Sequence, residues 1–101
     1  MTEFVKVAQR GDLSDGHGML AVVKGTRVAL FNCEGTIYAI RGTCPHMGGE
    51  LWEGLLRDGI VSCPWHGWRF DVRTGKSPDA ELVSVRTYAV KIEGDDIYVG
   101  V

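Results

Sequence analysis

Short apolar runs separated by turn residues occupy the first forty residues of the chain. The runs are rich in Val, Ile, Leu, Phe and Tyr, which favour extended strands. They lie at residues 4–8, 19–24, 27–32 and 36–41. Residues 24–26 and 33–35 contain glycine, which can adopt the positive φ that a tight hairpin turn requires. The pattern predicts that the chain opens as a β-meander.

The pattern changes between Gly42 and Gly75. This third of the chain holds seven glycines, all three tryptophans and two of the three histidines, and it contains one short helical candidate, residues 50–57. Strand-like runs return at residues 82–92 and 97–101, with a turn expected at 93–96. We therefore predict an all-β fold with one domain over residues 1–101, in which a β scaffold carries a loop-rich insert at about residues 42–75.

Composition narrows the possible functions. At 101 residues the chain has no room for a second catalytic domain. Its 11 Lys and Arg against 13 Asp and Glu create no basic surface for nucleic acid. It also has no apolar stretch long enough for a secretory signal or a membrane span. We expect a cytoplasmic protein with no nucleic-acid or membrane partner.

Two short segments of the insert combine cysteine with histidine. Cys44 and His46 form a C-x-H motif, Cys63 and His66 form a C-x2-H motif, and sixteen residues separate the two motifs. A proline follows each of these cysteines and a glycine lies close after each histidine, which favours stiff, tight loops. Two thiolates and two imidazoles in such loops predict a metal centre. Cys33 ends an apolar run without a nearby histidine, so we expect a buried thiol there.

The arrangement of the four ligands bears on the identity of the metal. Structural zinc sites usually keep like ligands together, as C-x2–4-C and H-x3–5-H pairs. Here each motif supplies one cysteine and one histidine, which suits a binuclear cluster with two cysteines on one iron and two histidines on the other. The spacing favours iron–sulfur and leaves zinc open.

The two motifs and the segment after them carry a family resemblance. CPHMGG, CPWHGW and RFDVRTG resemble the two boxes and the following strand of Rieske [2Fe–2S] proteins, and the whole chain is similar to the small Rieske ferredoxins of bacterial ring-hydroxylating dioxygenases. The resemblance implies three stacked antiparallel sheets, with the cluster at the tip of the insert. It also implies that Cys44 and Cys63 bind the inner iron, and that His46 and His66 bind a solvent-facing outer iron.

The boxes depart from those of respiratory Rieske proteins in two ways. Gly49 and Trp65 stand where those relatives have two further cysteines that form a disulfide across the loops. Trp68 and Phe70 stand where they have hydroxyl groups beside the cluster. Without hydroxyl hydrogen bonds to sulfur, we expect a potential near the low end of the Rieske range, about −150 mV.

Simpler interpretations suffice for most other polar and aromatic residues. His17 is expected to be a solvated loop residue, and the tryptophans could fill the core of a glycine-rich insert. Trp65, with Pro45 and Met47, could instead form an apolar docking rim around the histidines. A solvated charged face is expected at Asp71, Arg73, Asp79 and Glu81.

The resemblance implies an electron carrier rather than an enzyme. Such a protein takes one electron from an NAD(P)H-dependent reductase and delivers it to the terminal oxygenase of an aromatic-hydrocarbon pathway. Transient docking near His46 and His66 by a monomer is expected. Two alternatives stay open at this point: a small Rieske subunit held permanently in a nitrite reductase-like enzyme, and a zinc-stabilised interaction module.

Overall fold

A computed structural model describes residues 3–45, 48–64 and 67–101. Over these residues the chain forms nine strands and two single-turn 3-10 helices, Arg10–Asp12 and Leu51–Glu53. The strands are β1 (Phe4–Gln9), β2 (Gly18–Val23), β3 (Thr26–Cys33), β4 (Thr36–Arg41), β5 (Leu55–Arg57), β6 (Ile60–Ser62), β7 (Arg69–Asp71), β8 (Thr87–Glu93) and β9 (Asp96–Gly100). The all-β prediction is confirmed. Neither helix of the described part is long and apolar enough to cross a membrane.

The strands form two antiparallel sheets. Six strands lie in the order β1-β9-β8-β4-β3-β2, and the other three in the order β5-β6-β7. β4 and β8 share only two residue pairs, Ala39 with Tyr88 and Ile40 with Thr87. The large sheet therefore consists of two three-stranded halves with a short junction. These halves and the small sheet correspond to the three antiparallel sheets that the resemblance implies.

The tight turns of the hairpins follow from their sequences. The dipeptides Lys24-Gly25, Glu34-Gly35 and Asp58-Gly59 each have positive φ at both residues. Each separates two paired strand residues, as in type I′ turns, whose twist matches that of the flanking strands. The turns predicted at 24–26 and 33–35 are confirmed, and the turn at 58–59 connects two strands of the insert.

Strand β3 is buried on both of its faces and so separates two apolar clusters. Val28 and Leu30 belong to the first cluster, Ala29 and Phe31 belong to the second, and all four are fully buried. The first cluster lies between the two halves of the large sheet. The second lies between β3–β4 and the insert, and its buried members are Ala29, Phe31, Ile40, Cys44, Leu51, Val61, Cys63, Phe70, Val72 and Val85. Burial on both faces explains why residues 27–32 form a nearly continuous apolar run.

The strand predicted at residues 82–92 is wrong over its first five residues, since β8 begins at Thr87. Leu82 is 97% exposed. The backbone N–H of Val83 donates to the carbonyl oxygen of Ala80 at 3.0 Å, and that of Val85 donates to Gly75 at 2.7 Å. Local loop hydrogen bonds therefore replace most strand pairing here, although the composition of the segment is typical of a strand.

The insert has more regular structure than its sequence indicates. The helical candidate at 50–57 contains only the single turn Leu51–Glu53, and the chain then enters β5. A Cβ atom at Gly54 would lie 2.1 Å from the carbonyl oxygen of Ser62. Only glycine permits this approach of the chain to β6, so Gly54 ends the turn and brings it against the small sheet.

Candidate metal centre

The two predicted ligand motifs lie in loops of the same length. We call residues 44–49 loop 1 and residues 63–68 loop 2. Loop 1 is flanked by the antiparallel pair Thr43 and Glu50, and loop 2 by the pair Ser62 and Arg69. Six residues therefore separate the paired positions in both loops, although the cysteine-to-histidine spacing of the two motifs differs by one.

Both loops are closed by the same backbone hydrogen bonds. The N–H of Cys44 donates to the carbonyl oxygen of Gly49 at 2.7 Å, and the N–H of Gly48 donates to Cys44 at 2.9 Å. In loop 2 the N–H of Cys63 donates to Trp68 at 2.6 Å, and the N–H of Gly67 donates to Cys63 at 3.0 Å. Gly48 and Gly67 have φ of 75° and 71°, which glycine adopts without strain. The two cysteines thus occupy equivalent positions.

Both loop cysteines are buried in the second apolar cluster, with exposures of 1% for Cys44 and 3% for Cys63. The following residues, Pro45 and Pro64, are exposed. Each cysteine therefore lies at the inner side of a loop whose next residue reaches the surface. Two buried thiols in matching loops suit thiolate ligands of an iron–sulfur cluster, and all three cysteines of the chain carry thiols rather than disulfides.

The other half of the predicted ligand set lies outside the described residues. These are His46 and His66; Met47 and Trp65 of the predicted docking rim also lie outside the described residues. Among the residues that the structure describes, no three His, Cys, Asp or Glu side chains form a group that could hold a metal ion. The ligand roles of Cys44, His46, Cys63 and His66 therefore stay a prediction.

A charged side chain immediately follows each loop and makes an ion pair. Arg27 Nη2 donates to Glu50 Oε1 at 2.6 Å, and Trp52 Nε1 donates to Glu50 Oε2 at 2.8 Å. These hydrogen bonds, the one from Arg27 above all, hold the pKa of Glu50 below its ordinary value. After loop 2, Arg69 makes a bidentate pair with Asp79, with Nε–Oδ2 2.9 Å and Nη2–Oδ1 2.5 Å.

Sequence reasoning missed Glu50 and Arg69. The signal was present, because each is the sixth residue after its cysteine and each is charged. The different cysteine-to-histidine spacings of the two motifs conceal this equivalence in the sequence. The flanking antiparallel pairs and the closing hydrogen bonds show that the loops are equivalent.

The charged face predicted at residues 71–81 is more structured than a solvated surface. Asp71 accepts hydrogen bonds from the backbone N–H and the guanidinium of Arg73, and its side chain is 21% exposed. The hydrogen bond from the Arg73 side chain lowers the pKa of Asp71. Asp79 is paired with Arg69, whereas Glu81 is exposed as predicted.

Cys33 was expected to be a buried thiol and is only half-buried, at the edge of the second apolar cluster. It borders a cavity of about 590 Å³ that lies against the turn of the β5–β6 hairpin, with Asp58, Gly59 and Arg73 among the lining residues. Loop 2 follows the opposite end of β6, so this cavity is separate from the candidate centre. Burial is the main cause of a raised pKa of the Cys33 thiol, which therefore stays protonated near neutrality.

Aromatic residues next to the loops belong to the core of the insert. Phe70 is fully buried in the second apolar cluster, and Trp52 and Trp68 are partly buried against it. This confirms a core role for two of the three tryptophans. His17 is exposed and its Nδ1 lies 3.0 Å from the carbonyl oxygen of Asp15, as expected for a solvated loop residue.

Comparisons with known proteins agree with this geometry. Residues 3–89 match the family model of the Rieske [2Fe-2S] domain. The chain is 40% identical over 96 residues to the ferredoxin component of biphenyl 2,3-dioxygenase from Rhodococcus jostii (strain RHA1), covering 93% of this chain and 89% of the relative.

Solved structures give the same result. The ferredoxin of carbazole 1,9a-dioxygenase from Nocardioides aromaticivorans IC177 is similar with a TM-score of 0.87 and 33% identity, over 95% of each chain. A chain in the complex of reduced oxygenase and oxidized ferredoxin of carbazole 1,9a-dioxygenase is similar with a TM-score of 0.87 and 28% identity, over 95% of this chain and 91% of that one.

Proposed function

Since the chain belongs to the Rieske [2Fe-2S] domain family, we propose that Cys44, His46, Cys63 and His66 hold its cluster and that it delivers single electrons to a ring-hydroxylating oxygenase. When bound, the cluster supplies one-electron redox chemistry at its histidine-ligated iron. The chain is an electron-transfer protein and not itself a catalytic enzyme, like its ferredoxin relatives. The observation that carries the ligand assignment is the pair of buried cysteines in equivalent loops.

The residues of the chain contribute placement and exclusion of water. Each cysteine is held at the inner side of its loop by two backbone hydrogen bonds, among apolar side chains such as Phe70 and Leu51. Ligands that are held in place and shielded from water limit the structural change that occurs when the centre gains or loses one electron. His46 and His66, close to the exposed prolines in sequence, are the proposed exit for the electron.

Metal analysis and spectroscopy test the ligand assignment. The purified protein is expected to be red-brown, with two irons and two acid-labile sulfides per chain. His46→Ala or His66→Ala should abolish the native EPR signal of the reduced protein, whereas His17→Ala should leave it unchanged, since His17 is an exposed loop residue. A colourless protein with one zinc per chain from iron-replete cells would contradict the proposal.

The proposed partners are a terminal oxygenase and an NAD(P)H-dependent reductase. The solved complex of an oxygenase with a similar ferredoxin supports the first, and the names of multicomponent relatives support the second. We place transient docking near His46 and His66, with the chain acting as a cytoplasmic monomer in aromatic-hydrocarbon catabolism.

Trp65→Ala is expected to slow electron transfer to the oxygenase while leaving the iron content intact. Loss of iron with a normal rate of electron transfer per cluster would instead indicate that Trp65 belongs to the core.

The carrier role is favoured over the two alternatives. Ferredoxin components of biphenyl and naphthalene dioxygenase systems cover about nine-tenths of this chain at 35–40% identity, whereas the small nitrite reductase subunits that share its fold are 23% identical. A potential near −150 mV, expected from the absence of hydroxyl groups at Trp68 and Phe70, stays part of the proposal. So does the division into a scaffold and a cluster-binding subdomain at about residues 42–75.

A further inference from the structure

Arg27 of strand β3 contacts both limbs of loop 1. Its carbonyl oxygen accepts a hydrogen bond from the N–H of Gly42 at 3.0 Å, two residues before Cys44. Its guanidinium donates to Glu50, the residue that immediately follows the loop. A Cβ atom at Gly42 would lie 2.8 Å from the carbonyl carbon of Arg27, so the chain passes this strand too closely for any side chain. One scaffold residue therefore holds the entry and the exit of the loop.

Glu50 has a second partner that fixes its orientation. One carboxylate oxygen accepts from Arg27 and the other from the indole N–H of Trp52, which packs against the second apolar cluster. The Glu50 side chain is 29% exposed, less than that of any other residue in an ion pair next to the loops. A carboxylate that uses both oxygens with separate donors, one of them charged, is strongly oriented. The exit of loop 1 is thus tied to the scaffold and to the core of the insert.

Loop 2 has a weaker counterpart. Arg69 occupies the equivalent position, but its side chain and that of Asp79 are 48% and 49% exposed. Water and salt screen such an exposed pair although it is bidentate, whereas Glu50 also accepts a hydrogen bond from the partly buried indole of Trp52. Of the two residues that follow the loops, Glu50 is therefore the one whose contacts restrain its loop more strongly.

We infer that Glu50 is a positioning residue: through Arg27 and Trp52 it fixes the two ends of loop 1, and with them Cys44, relative to strand β3. The inference rests on the proposed cluster, of which Cys44 is a ligand. It assigns to a carboxylate and its two donors the restraint that a disulfide provides in the respiratory relatives. Glu50 itself binds neither iron nor partner in this role.

The experiment compares Glu50→Ala, Glu50→Gln and the control Glu53→Ala in the holoprotein. Glu53 has the same charge, is exposed and lies in the short helix that directly follows Glu50, so its removal changes the local charge alone. Two quantities are measured: the rate of iron release to a chelator, and the EPR g values of the reduced protein. Iron and sulfide content of the unsubstituted protein is determined first.

Glu50→Ala should release iron about tenfold faster and shift the g values, as expected when a partner that orients a metal-binding loop is removed. Glu53→Ala should match the unsubstituted protein. Glu50→Gln loses the same charge but keeps one oxygen acceptor, so its release rate should lie clearly closer to the unsubstituted rate than that of Glu50→Ala. Arg27→Met, which retains the carbonyl contact to Gly42, should accelerate release, and adding it to Glu50→Ala should have no further effect.

Several outcomes would overturn the inference. Equal release rates in Glu50→Ala and Glu53→Ala would do so, and so would equal effects of Gln and Ala at residue 50, which would indicate charge rather than position. If Glu50→Ala does not fold, an unchanged release rate in Arg27→Met decides against it. If the unsubstituted protein carries zinc, the proposed function fails, but zinc release from the same variants still tests the positioning role separately.

Discussion

The two apolar clusters of the molecule are held together in different ways, although β3 contributes to both. The first cluster is enclosed by strands of five to eight residues with long runs of paired positions. The second is enclosed partly by three-residue strands, two loops and one helical turn. Its walls meet where glycine allows close approach, at Gly54 and Gly75, and where ion pairs join segments far apart in sequence.

Because the two clusters are enclosed differently, one mainly determines the stability of the fold and the other also positions the metal centre. Alternating apolar residues in long strands are sufficient to build the first cluster, and neither of the two described ligand residues, Cys44 and Cys63, lies in it. The second cluster contains both buried ligand cysteines. Substitutions in the first should therefore lower the free energy of unfolding without changing the metal centre, whereas substitutions in the second should change both.

The largest effect is expected for Leu30→Ala in the first cluster. Leu30 is fully buried, so the lost contacts and the cavity should lower the free energy of unfolding by about 2–5 kcal/mol. The EPR spectrum of the folded protein should stay unchanged. Denaturant unfolding measures the first quantity, with Val22→Ala as the control, because Val22 lies in the adjacent strand and is 58% exposed. A changed spectrum would show that the two clusters are not separable in this way.

A smaller loss of stability, accompanied by a change in the centre, is expected for Gly54→Ala. The added Cβ would meet the carbonyl oxygen of Ser62, immediately before Cys63, and overpacking of this kind costs about 1–3 kcal/mol. Gly11→Ala is the control, since nothing lies within 4 Å of its Cβ position. The prediction is wrong if both variants unfold at the same denaturant concentration and release iron at the same rate.

Asp71→Asn should alter the pH dependence of stability to a lesser extent. The Arg73 side chain lowers the pKa of Asp71, so the ionised carboxylate stabilises the folded state above its unfolded pKa of about 3.9. This contribution is lost as the pH falls through the lower folded pKa. The difference in thermal midpoint between wild type and Asp71→Asn should be full at pH 6–7 and shrink below about pH 4. A difference that is constant from pH 7 to pH 3 would contradict it.

The smallest effect is expected for Cys33→Ala. Cys33 packs only at the edge of the second cluster and borders a cavity at the end of β6 opposite loop 2, so the visible and EPR spectra should not change. Its raised pKa leaves little thiolate, and alkylation of this thiol at pH 8 should be slower than that of a model thiol. Loss of colour in this variant would overturn the assignment of Cys44 and Cys63 as the cysteine ligands.

Much of the scaffold could be predicted because its signals are local. Residues 36–41 were predicted as a strand and form β4, and the glycine turns at residues 25 and 35 have the expected positive φ. The apolar residues of segment 82–86 resemble a strand, but Val83 and Val85 donate to Ala80 and Gly75 in the preceding loop. Composition alone does not distinguish these loop hydrogen bonds from strand pairing.

The residue types of the site could be predicted from the sequence, but the contacts that hold its loops in place could not. The cysteine and histidine motifs identify the ligand chemistry, and the prolines and glycines beside them predict tight loops. The contact of Glu50 with Arg27 joins residues that are 23 positions apart in sequence. The close approach of Gly54 to Ser62 depends on how the helical turn before Gly54 lies against strand β6. Three-residue strands such as β6 alternate too briefly to be recognised from their pattern.

The closing hydrogen bonds of loops 1 and 2 have a consequence for how the motifs can vary. They use only backbone N–H and carbonyl groups, so they need no particular side chain, although the positive φ of Gly48 and Gly67 favours glycine at those two donor positions. The bonds use the first, fifth and sixth residues of each loop, whereas in the sequence the histidine is the third residue of one loop and the fourth of the other. The hydrogen bonds that close each loop and the position of its ligand residue can therefore change independently. A substitution can change which residue offers a donor atom while the closing backbone hydrogen bonds stay the same.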